Sequence, residues 1–374
     1  SSINANATKV IFDAQSSNFT YGSVGSGSGS KVGNTVEITG WSGTSVTVTL
    51  TYTTAATYSN RANVTSTSAT YTDSAWSSTD SIVISSSWAF QGSNYGYHAG
   101  GTAPITDHIE KYSYSSDADA TDVGNLSSSR YGVAGTSSST SGYVAGGINS
   151  SNVDTIDKFS FSSGGDAADI GNLSSSKYGA AGASSSTYGY VAGGEASTDV
   201  DTIDKYSHSS DADATDIGNL ISVRKLAAGY TSSDYGYSAG GKEGNGDYDD
   251  IYKWAFASDA DATDVASLTQ VTNWSAGASS TTHGYTMSGA SPSYTAVVSK
   301  HNFSSGANST SVGSVTNARQ GPQGSSSTDY GYCTGGETGS NVIDKTDFAS
   351  DGNSTDVGDL VVGSNFNGSV GCQY

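Results

Sequence analysis

The sequence predicts an all-β chain, in which a six-bladed β-propeller of four-stranded blades (residues 88–374) follows a small β-sandwich-like module (residues 1–87). Three observations carry this prediction. The string Gly-Tyr-x-x-x-Gly occurs six times, at intervals of 46 to 48 residues. Each interval divides into four strand-sized pieces, and almost no stretch has the 3.6-residue apolar period of a helix. Six repeats of four short strands are typical of a propeller.

Four features recur along the repeats. The first is the tyrosine of the Gly-Tyr string, which is followed in five copies by a double glycine. The second is a lysine on the third piece, the third is an acidic turn such as Ser115–Asp122, and the fourth is a short Gly/Ala-rich piece such as Tyr131–Gly135. The tyrosines are Tyr97, Tyr143, Tyr190, Tyr237, Tyr285 and Tyr332, and the lysines are Lys111, Lys158, Lys205, Lys253, Lys300 and Lys345.

Alternation assigns the side chains of the third piece to two faces. In the second repeat, Ile156 and Lys158 fall on one face, and Asp157 and Phe159 fall on the other. The order of pieces in each repeat is therefore a Gly/Ala strand one, a Gly-Tyr strand two, a lysine-bearing strand three and a Thr-Asp-Val-Gly-Asn-Leu-like strand four.

Composition and charge restrict the functional classes. A net charge of -20 with few aliphatic residues is typical of disorder, but the 24 Tyr, 9 Phe and 5 Trp suit half-buried strands joined by tight turns. An acidic surface repels phosphate, which excludes nucleic acid and anionic membranes as favoured partners. No stretch approaches the ~18 apolar residues of a membrane span, so no membrane insertion is expected. The chain begins at Ser1 without a visible signal peptide, which indicates a processed or recombinant terminus.

All variation in repeat length falls between strands two and three. The six connections cover residues 102–108, 148–155, 195–202, 242–250, 290–297 and 337–342, and their residues differ as well as their lengths. Equivalent loops gather on one face of a propeller, so we expect one continuous, variable binding surface. The alternative is that these loops are merely unconstrained. Aromatic faces suit sugar rings, and carboxylates bond hydroxyl groups. The candidate ligand contacts are His108, Asp199, Asp201, Lys242, Glu243, Tyr248 and Tyr294.

The acidic turn and the repeated lysine favour structural roles. The turn places three carboxylates close together, which would suit calcium, but the fifth copy, Ser305–Ser311, has no carboxylate at all. We therefore expect mainly a turn stabilised by its own side chains, with calcium as the alternative. The lysines would either line a channel as an anion site or pair with neighbouring carboxylates, and recurrence in every blade favours pairing.

No catalytic arrangement is visible, so we assign no catalytic residue, no metal ligand and no required cofactor. The propeller arginines, Arg130, Arg224 and Arg319, recur at one repeat position that Lys177 also occupies, and repetition again favours structure. The five histidines show no ligand spacing, and His208 stands at a position that other repeats fill with Phe or Tyr. Two cysteines are too few for a disulfide framework or a zinc site.

The C-terminal residues are expected to close the ring. The first repeat has too few residues for its own strand one, whereas residues 364–371 follow the sixth strand four as a spare strand one. We expect Phe366–Cys372 to enter blade one as its innermost strand, because this removes exposed edges. Closure would bring Cys372 toward Cys333, and a disulfide would form if their Cα atoms lie within about 7 Å.

Three resemblances add to this interpretation. The double glycine after strand two resembles kelch repeats from about Trp88 onward, although Asp122, Asp169 and Asp216 stand where the kelch fourth strand carries Trp. The acidic turn resembles the Asp-box of sialidase propellers, which is a turn away from the active site. Arrays such as Phe348–Leu360 resemble those of tail-fibre and virion structural proteins of marine bacteriophages, which implies a virion-surface or extracellular location.

These features predict a tail-fibre-like adhesin that binds a host-surface glycan or protein. Its N-terminal module carries three basic and four acidic residues and alternating runs such as Val46–Tyr52, and we expect it to dock to other virion proteins. The alternatives are a glycan-active enzyme of the sialidase or lyase type, and a purely structural decoration protein. The sequence leaves the oligomeric state open, including a homo-oligomer.

Overall fold

In a computed structural model of the chain, the description covers the backbone of seven strands within residues 9–84, and residues 94–102, 104–337 and 341–363 with their side chains. Contacts divide the chain into two compact units, Ser1–Ser87 and Trp88–Tyr374. The strands of the first unit form a five-stranded and a two-stranded antiparallel sheet. These strands are Lys9–Asp13, Phe19–Val24, Ser28–Val32, Thr35–Thr39, Val48–Tyr52, Ala56–Thr65 and Asp80–Ile84.

The second unit is a six-bladed β-propeller, as the repeats predicted. Among the described residues, blades two to six are antiparallel sheets in the order one-two-three-four, and blade one contains strands two to four. Strand one is Ala134–Ser137, Ala181–Ser184, Ala228–Thr231, Ala276–Ser279 and Gln323–Ser326 in blades two to six. Strand two is Tyr95–Ala99, Ser141–Ala145, Tyr188–Ala192, Tyr235–Ala239, His283–Met287 and Tyr330–Thr334. Strand three is His108–Ser113, Thr155–Ser160, Thr202–Ser207, Asp250–Ala255, Val297–Asn302 and Val342–Asp347. Strand four is Thr121–Asn125, Ala168–Asn172, Thr215–Asn219, Thr263–Ser267, Thr310–Ser314 and Thr355–Asp359.

Strand one is shorter than the sequence predicted. In blade two it begins at Ala134 rather than at Tyr131, which makes only an isolated bridge to Ile148. Gly132 lies between them with φ +64°, a left-handed conformation that an extended strand does not contain. The double glycine after strand two has the same function, because Gly146 also takes φ +64° there. Blade five keeps this turn with Ser288 in place of the first glycine, at φ +63°.

The core lies between the blades, and the two faces of strand three pack on different neighbours. In blade two, Phe159 packs in a cluster with Tyr97 and Ile109 of blade one. Ile156 packs with Val191 and Tyr206 of blade three. The alternation predicted for this strand is therefore confirmed, and each face contributes one large apolar side chain to a different cluster.

The repeat tyrosine of each blade is buried against an aromatic side chain at the end of strand three in the next blade. Six such stacks, with ring centroids 4.6–5.0 Å apart, surround the ring. The pairs are Tyr97–Phe161, Tyr143–His208, Tyr190–Phe256, Tyr237–Phe303, Tyr285–Phe348 and Tyr332–Tyr114. The same interface is thus used six times, including between blades six and one.

Glycine is required where strands and rings approach most closely. A Cβ on Gly142, which precedes the repeat tyrosine of blade two, would lie 2.3 Å from the Phe159 ring. A Cβ on Gly182, in strand one of blade three, would lie 2.1 Å from the carbonyl oxygen of Gly135 in blade two. The innermost strands of neighbouring blades therefore touch backbone to backbone.

Contacts between blades six and one close the ring among the described residues. The Gln323 side chain in blade six accepts a hydrogen bond from the Ala99 amide at 3.3 Å and donates one to its carbonyl at 2.9 Å. The amides of Val361 and Val362 donate to the buried Glu110 of blade one at 2.7 and 3.1 Å. Burial raises the pKa of Glu110, although these two bonds oppose the shift.

The predicted closing strand, Phe366–Cys372, lies outside the described residues, as does Cys372. The Cys333 thiol is buried in blade six, where burial raises its pKa to about 12. It accepts a hydrogen bond from Arg319 at 3.5 Å. The disulfide between Cys333 and Cys372 therefore stays a prediction.

Candidate functional site

The connections between strands two and three and those between strands four and one emerge on the same face, because the strands of a blade run antiparallel. We call this the variable face. The opposite face, formed by the connections between strands one and two and between strands three and four, is called the turn face. Five of the seven exposed large apolar side chains of the described residues lie on the variable face: Ile105, Ile221, Val271, Tyr294 and Val361. The other two, Tyr95 and Tyr188, begin strand two.

Side chains join the variable loops of consecutive blades. Asn152 of blade two donates to the carbonyls of Glu195 and Ala196 in blade three. Asp247 of blade four accepts hydrogen bonds from Asn273 and Ser291, which reach it from the blade-five side. The loops therefore form one continuous surface over these blades.

Asp199, Lys242, Glu243 and Tyr248 are brought together around blades three and four. Lys242 and Glu243 form one strand of a small hairpin, whose other strand is Gly246–Asp247. The carboxylate of Asp199 accepts a hydrogen bond from the Gly244 amide at 2.7 Å, which attaches this hairpin to blade three. Lys242 lies 3.8 Å from Asp247.

Arg224 and Lys225 organise this cluster, and neither was among the predicted contacts. The Arg224 guanidinium lies 3.7 Å from the centroid of the Tyr248 ring and pairs with Glu243 at 3.2 Å and Asp250 at 2.6 Å. Lys225 bridges Glu195 and Asp199. Burial acts to lower the pKa of Lys225, but its hydrogen bonds to these two carboxylates raise it overall. Both basic residues precede strand one. The topology of a propeller, which puts that connection on the same face, could have indicated them.

The three remaining predicted contacts lie apart from this cluster. Tyr294 of blade five is 42% exposed and donates its hydroxyl to Glu337 of blade six, and this bond raises the pKa of the phenol. His108 is the first residue of strand three in blade one, and its Nδ1 lies 2.9 Å from Asp122 on strand four. Asp201 is half-buried, and its backbone carbonyl accepts from the Leu220 amide at 2.7 Å.

The acidic turns on the turn face hold neighbouring blades together. The second acidic position of each turn accepts a hydrogen bond at 2.9–3.1 Å from the last residue of strand four in the preceding blade. These acceptors are Asp166, Asp213, Asp261, Asn308, Asn353 and, from blade one back to blade six, Asp119. The third position bonds the backbone of strand four, as Asp122 does by accepting from the Gly124 amide at 3.2 Å. Within the described residues, no group of three His, Cys, Asp or Glu side chains could hold a metal ion.

Four repeat lysines pair with the first acidic position of the next blade's turn at 2.5–3.0 Å. These pairs are Lys158–Asp211, Lys205–Asp259, Lys300–Asp351 and Lys345–Asp117. Of the two alternatives that the sequence offered, pairing with neighbouring carboxylates is therefore observed at four of the six blade interfaces.

The recurrent basic position before strand one is buried and paired. Arg130–Asp157 at 2.9 Å and Lys177–Asp204 at 2.9 Å are fully buried, and Arg319 pairs with Asp344 at 2.8 Å. The side chains of all three propeller arginines are at most 2% exposed. Their guanidinium groups pair with carboxylates of the blade whose strand one they precede, and they are not displayed for a carboxylate substrate. His208 is likewise packed, and burial lowers its pKa to about 4.

The fold defines the chain as a β-propeller protein. No protein-family model matches it, and no curated protein matches it significantly. The described residues contain no helix, and so none that could cross a membrane.

Proposed function

We propose that the propeller is a binding module, and that its variable face contacts a glycan or a protein on a cell surface. The observation that carries the proposal is the concentration of exposed apolar side chains among the fixed, charged loops of that face. In contrast, the recurrent charges of the turn face are mostly used in contacts between blades. A rigid scaffold that presents dissimilar loops suits recognition.

The more specific part of the proposal rests on sequence. The repeats are of a kelch-like type, and the propeller is the receptor-binding head of a tail-fibre-like adhesin at a virion surface or in the extracellular space. The N-terminal unit is a β-sandwich-like module that docks the head to other virion proteins. Support comes from the repeat arrays of residues 115–126 and 348–360 and from the difference in charge between the two units.

A glycan array followed by an assay for released products tests this function. We expect binding without turnover, and we expect Tyr294→Ala and Tyr248→Ala to weaken it because both remove aromatic surface from the variable face. Tyr188→Ala on strand two is the matched control, since Tyr188 is similarly exposed outside the variable face. Binding that is equally weakened by the control, or product formation, would contradict the proposal.

A further inference from the structure

A cavity of about 330 Å³ opens on the turn face between blades four and five. The residues that line it include Tyr237, Lys253, His301, Phe303, Ser305 and Gly306. It lies at the place where the next blade's acidic turn normally meets the repeat lysine. At four other interfaces a lysine–aspartate pair of the protein itself occupies the equivalent place.

Among the described residues, Lys253 is a repeat lysine that has no carboxylate partner. The position equivalent to Asp211 and Asp259 is Gly306 in blade five, which has no side chain to offer. The ammonium group lies 4.2 Å from the centroid of the Tyr235 ring. This contact leaves room for an anion, because Lys205 pairs with its carboxylate at 2.5 Å while lying 5.0 Å from the ring of Tyr188.

The other lining residues are uncharged at pH 7, and three of them are aromatic. His301 is buried, and burial, together with the charge of Lys253, lowers its pKa to about 4, so its imidazole is neutral at pH 7. Its Nδ1 has no hydrogen-bond partner among the described residues. Tyr237 and Phe303 stack with centroids 4.9 Å apart. Lys253 is thus the only cation among the lining residues, set against an aromatic wall.

We propose that this cavity binds a small molecule bearing a carboxylate, whose carboxylate pairs with Lys253 as the aspartates do at four other interfaces. Its volume suits one sugar ring, so a uronic acid fits as well as a simple carboxylic acid, and the aromatic wall suits the apolar face of a sugar. The site lies on the turn face and does not depend on the function proposed for the variable face.

Ligand-observed NMR titrations of the full chain with acetate, D-glucuronate and D-glucose test the site. Saturable binding of glucuronate is expected, whereas glucose, which lacks the carboxylate, does not bind. Saturable binding of acetate as well indicates that the carboxylate alone is sufficient, and binding of glucuronate only indicates that the ring contributes. Both results support the proposal. Equal binding of glucose, or no saturable binding of either acid, overturns it.

Two substitutions locate the binding. Lys253→Met removes the charge, and Gly306→Asp supplies an internal carboxylate, so each should abolish saturable binding of the acids. Gly306→Asp is compatible with the fold, because Gly306 has φ +58°, the equivalent Asp351 has φ +49°, and a Cβ on Gly306 would meet nothing closer than 3.8 Å.

Lys205→Met is the matched control, since Lys205 already pairs with Asp259, and it should leave acid binding unchanged. Melting curves establish that each variant is folded. Acid binding that survives both Lys253→Met and Gly306→Asp in folded protein overturns the assignment, as does its loss in folded Lys205→Met.

Discussion

Single residues in this propeller are selected by what the neighbouring blade places against them. The repeat tyrosine recurs in all six repeats because it fills the gap between blades. The glycine before it makes room for a ring, which is Phe159 of strand three at Gly142 and Tyr230 of the preceding blade at Gly284. His208 fits the same position as Phe161 because, at a pKa of about 4, it stacks as a neutral ring. These recurrent side chains are therefore explained by the contact between neighbouring blades and not by a functional site.

Loss of one repeat tyrosine should destabilise the propeller strongly. Tyr190 is buried and stacks on Phe256 with centroids 4.8 Å apart. We expect Tyr190→Ala to reduce the free energy of unfolding by about 3–5 kcal/mol, because it opens a cavity between blades three and four. Tyr188 is exposed and two residues away, so Tyr188→Ala should reduce the free energy of unfolding by less than about 1 kcal/mol. Chemical denaturation measures both, and equal effects would show that the stack contributes little.

The buried ion pair of blade two should be replaceable only as a pair. Arg130→Met leaves the fully buried Asp157 without its partner, at an expected cost of about 3–5 kcal/mol in unfolding free energy. Blade five carries Thr272 and Ser299 at these two positions, both buried and uncharged. The double variant Arg130→Thr with Asp157→Ser should therefore be more stable than Arg130→Met. A double variant that is less stable than Arg130→Met contradicts this reasoning.

At the scale of the element, the acidic turn joins neighbouring blades. We call its hydrogen bond with the last residue of strand four in the preceding blade the clasp. Its position between strands three and four followed from the sequence, as did its use of side chains to bond its own backbone. Its contact with the preceding blade did not, because Asp213 and the Asn172 amide are brought together only by the packing of two blades. The same reason hid the partners of the repeat lysines and the contact of Lys225 with Glu195 and Asp199 of blade three. Pattern analysis therefore located the elements and the loops, but not the contacts that cross from one blade to another.

The clasp needs an acceptor oxygen rather than a charge. Blades five and six use Asn308 and Asn353 where blade three uses Asp213. Asp213→Asn should therefore leave the free energy of unfolding nearly unchanged. Asp213→Ala should reduce it by about 1 kcal/mol, because the Asn172 amide loses its acceptor. If Asp213→Asn destabilises as much as Asp213→Ala, charge rather than the hydrogen bond is what the clasp requires.

A missing lysine–aspartate pair can be restored between blades one and two. Lys111 lies over the Tyr95 ring at 4.6 Å. The position in blade two that is equivalent to the paired aspartates is Gly164, which has φ +61° and space for a Cβ at 3.5 Å or more from its neighbours. Gly164→Asp should raise the unfolding free energy by about 0.5–1 kcal/mol relative to Gly164→Asn, which has the same backbone strain at this φ without the charge. The gain should shrink in high salt and in a Lys111→Met background. A gain that keeps its full size in the Lys111→Met background would exclude the ion pair as its cause.

At the scale of the whole molecule, the last blade is bound to the first. Blade number and blade order followed from counting residues. The junction itself uses side chains that no repeat pattern indicates, such as Gln323 on the Ala99 backbone. Val361 and Val362 reach Glu110 as the Ser127 amide reaches Asp157, so the chain leaves blade six along the path that other connections follow into the next blade.

Removal of the C-terminal residues should test closure in two stages. Deletion after Leu360 removes the amides of Val361 and Val362 that bond Glu110, and it should lower the melting temperature by several degrees. Deletion after Gly363 keeps those bonds and removes only residues 364–374. If the predicted closing strand forms, this shorter deletion should also melt earlier than the full chain. A melting curve identical to that of the full chain would refute the strand.

The stack of Tyr332 on Tyr114 has a consequence for cooperativity. In an open array of repeats, the terminal units have one neighbour and fray first, so unfolding begins at the ends. Here the sixth interface carries an aromatic stack at the same positions as the other five, and every unit has two neighbours. No blade can detach without breaking two interfaces at once, so the propeller should lose its structure in a single all-or-none transition.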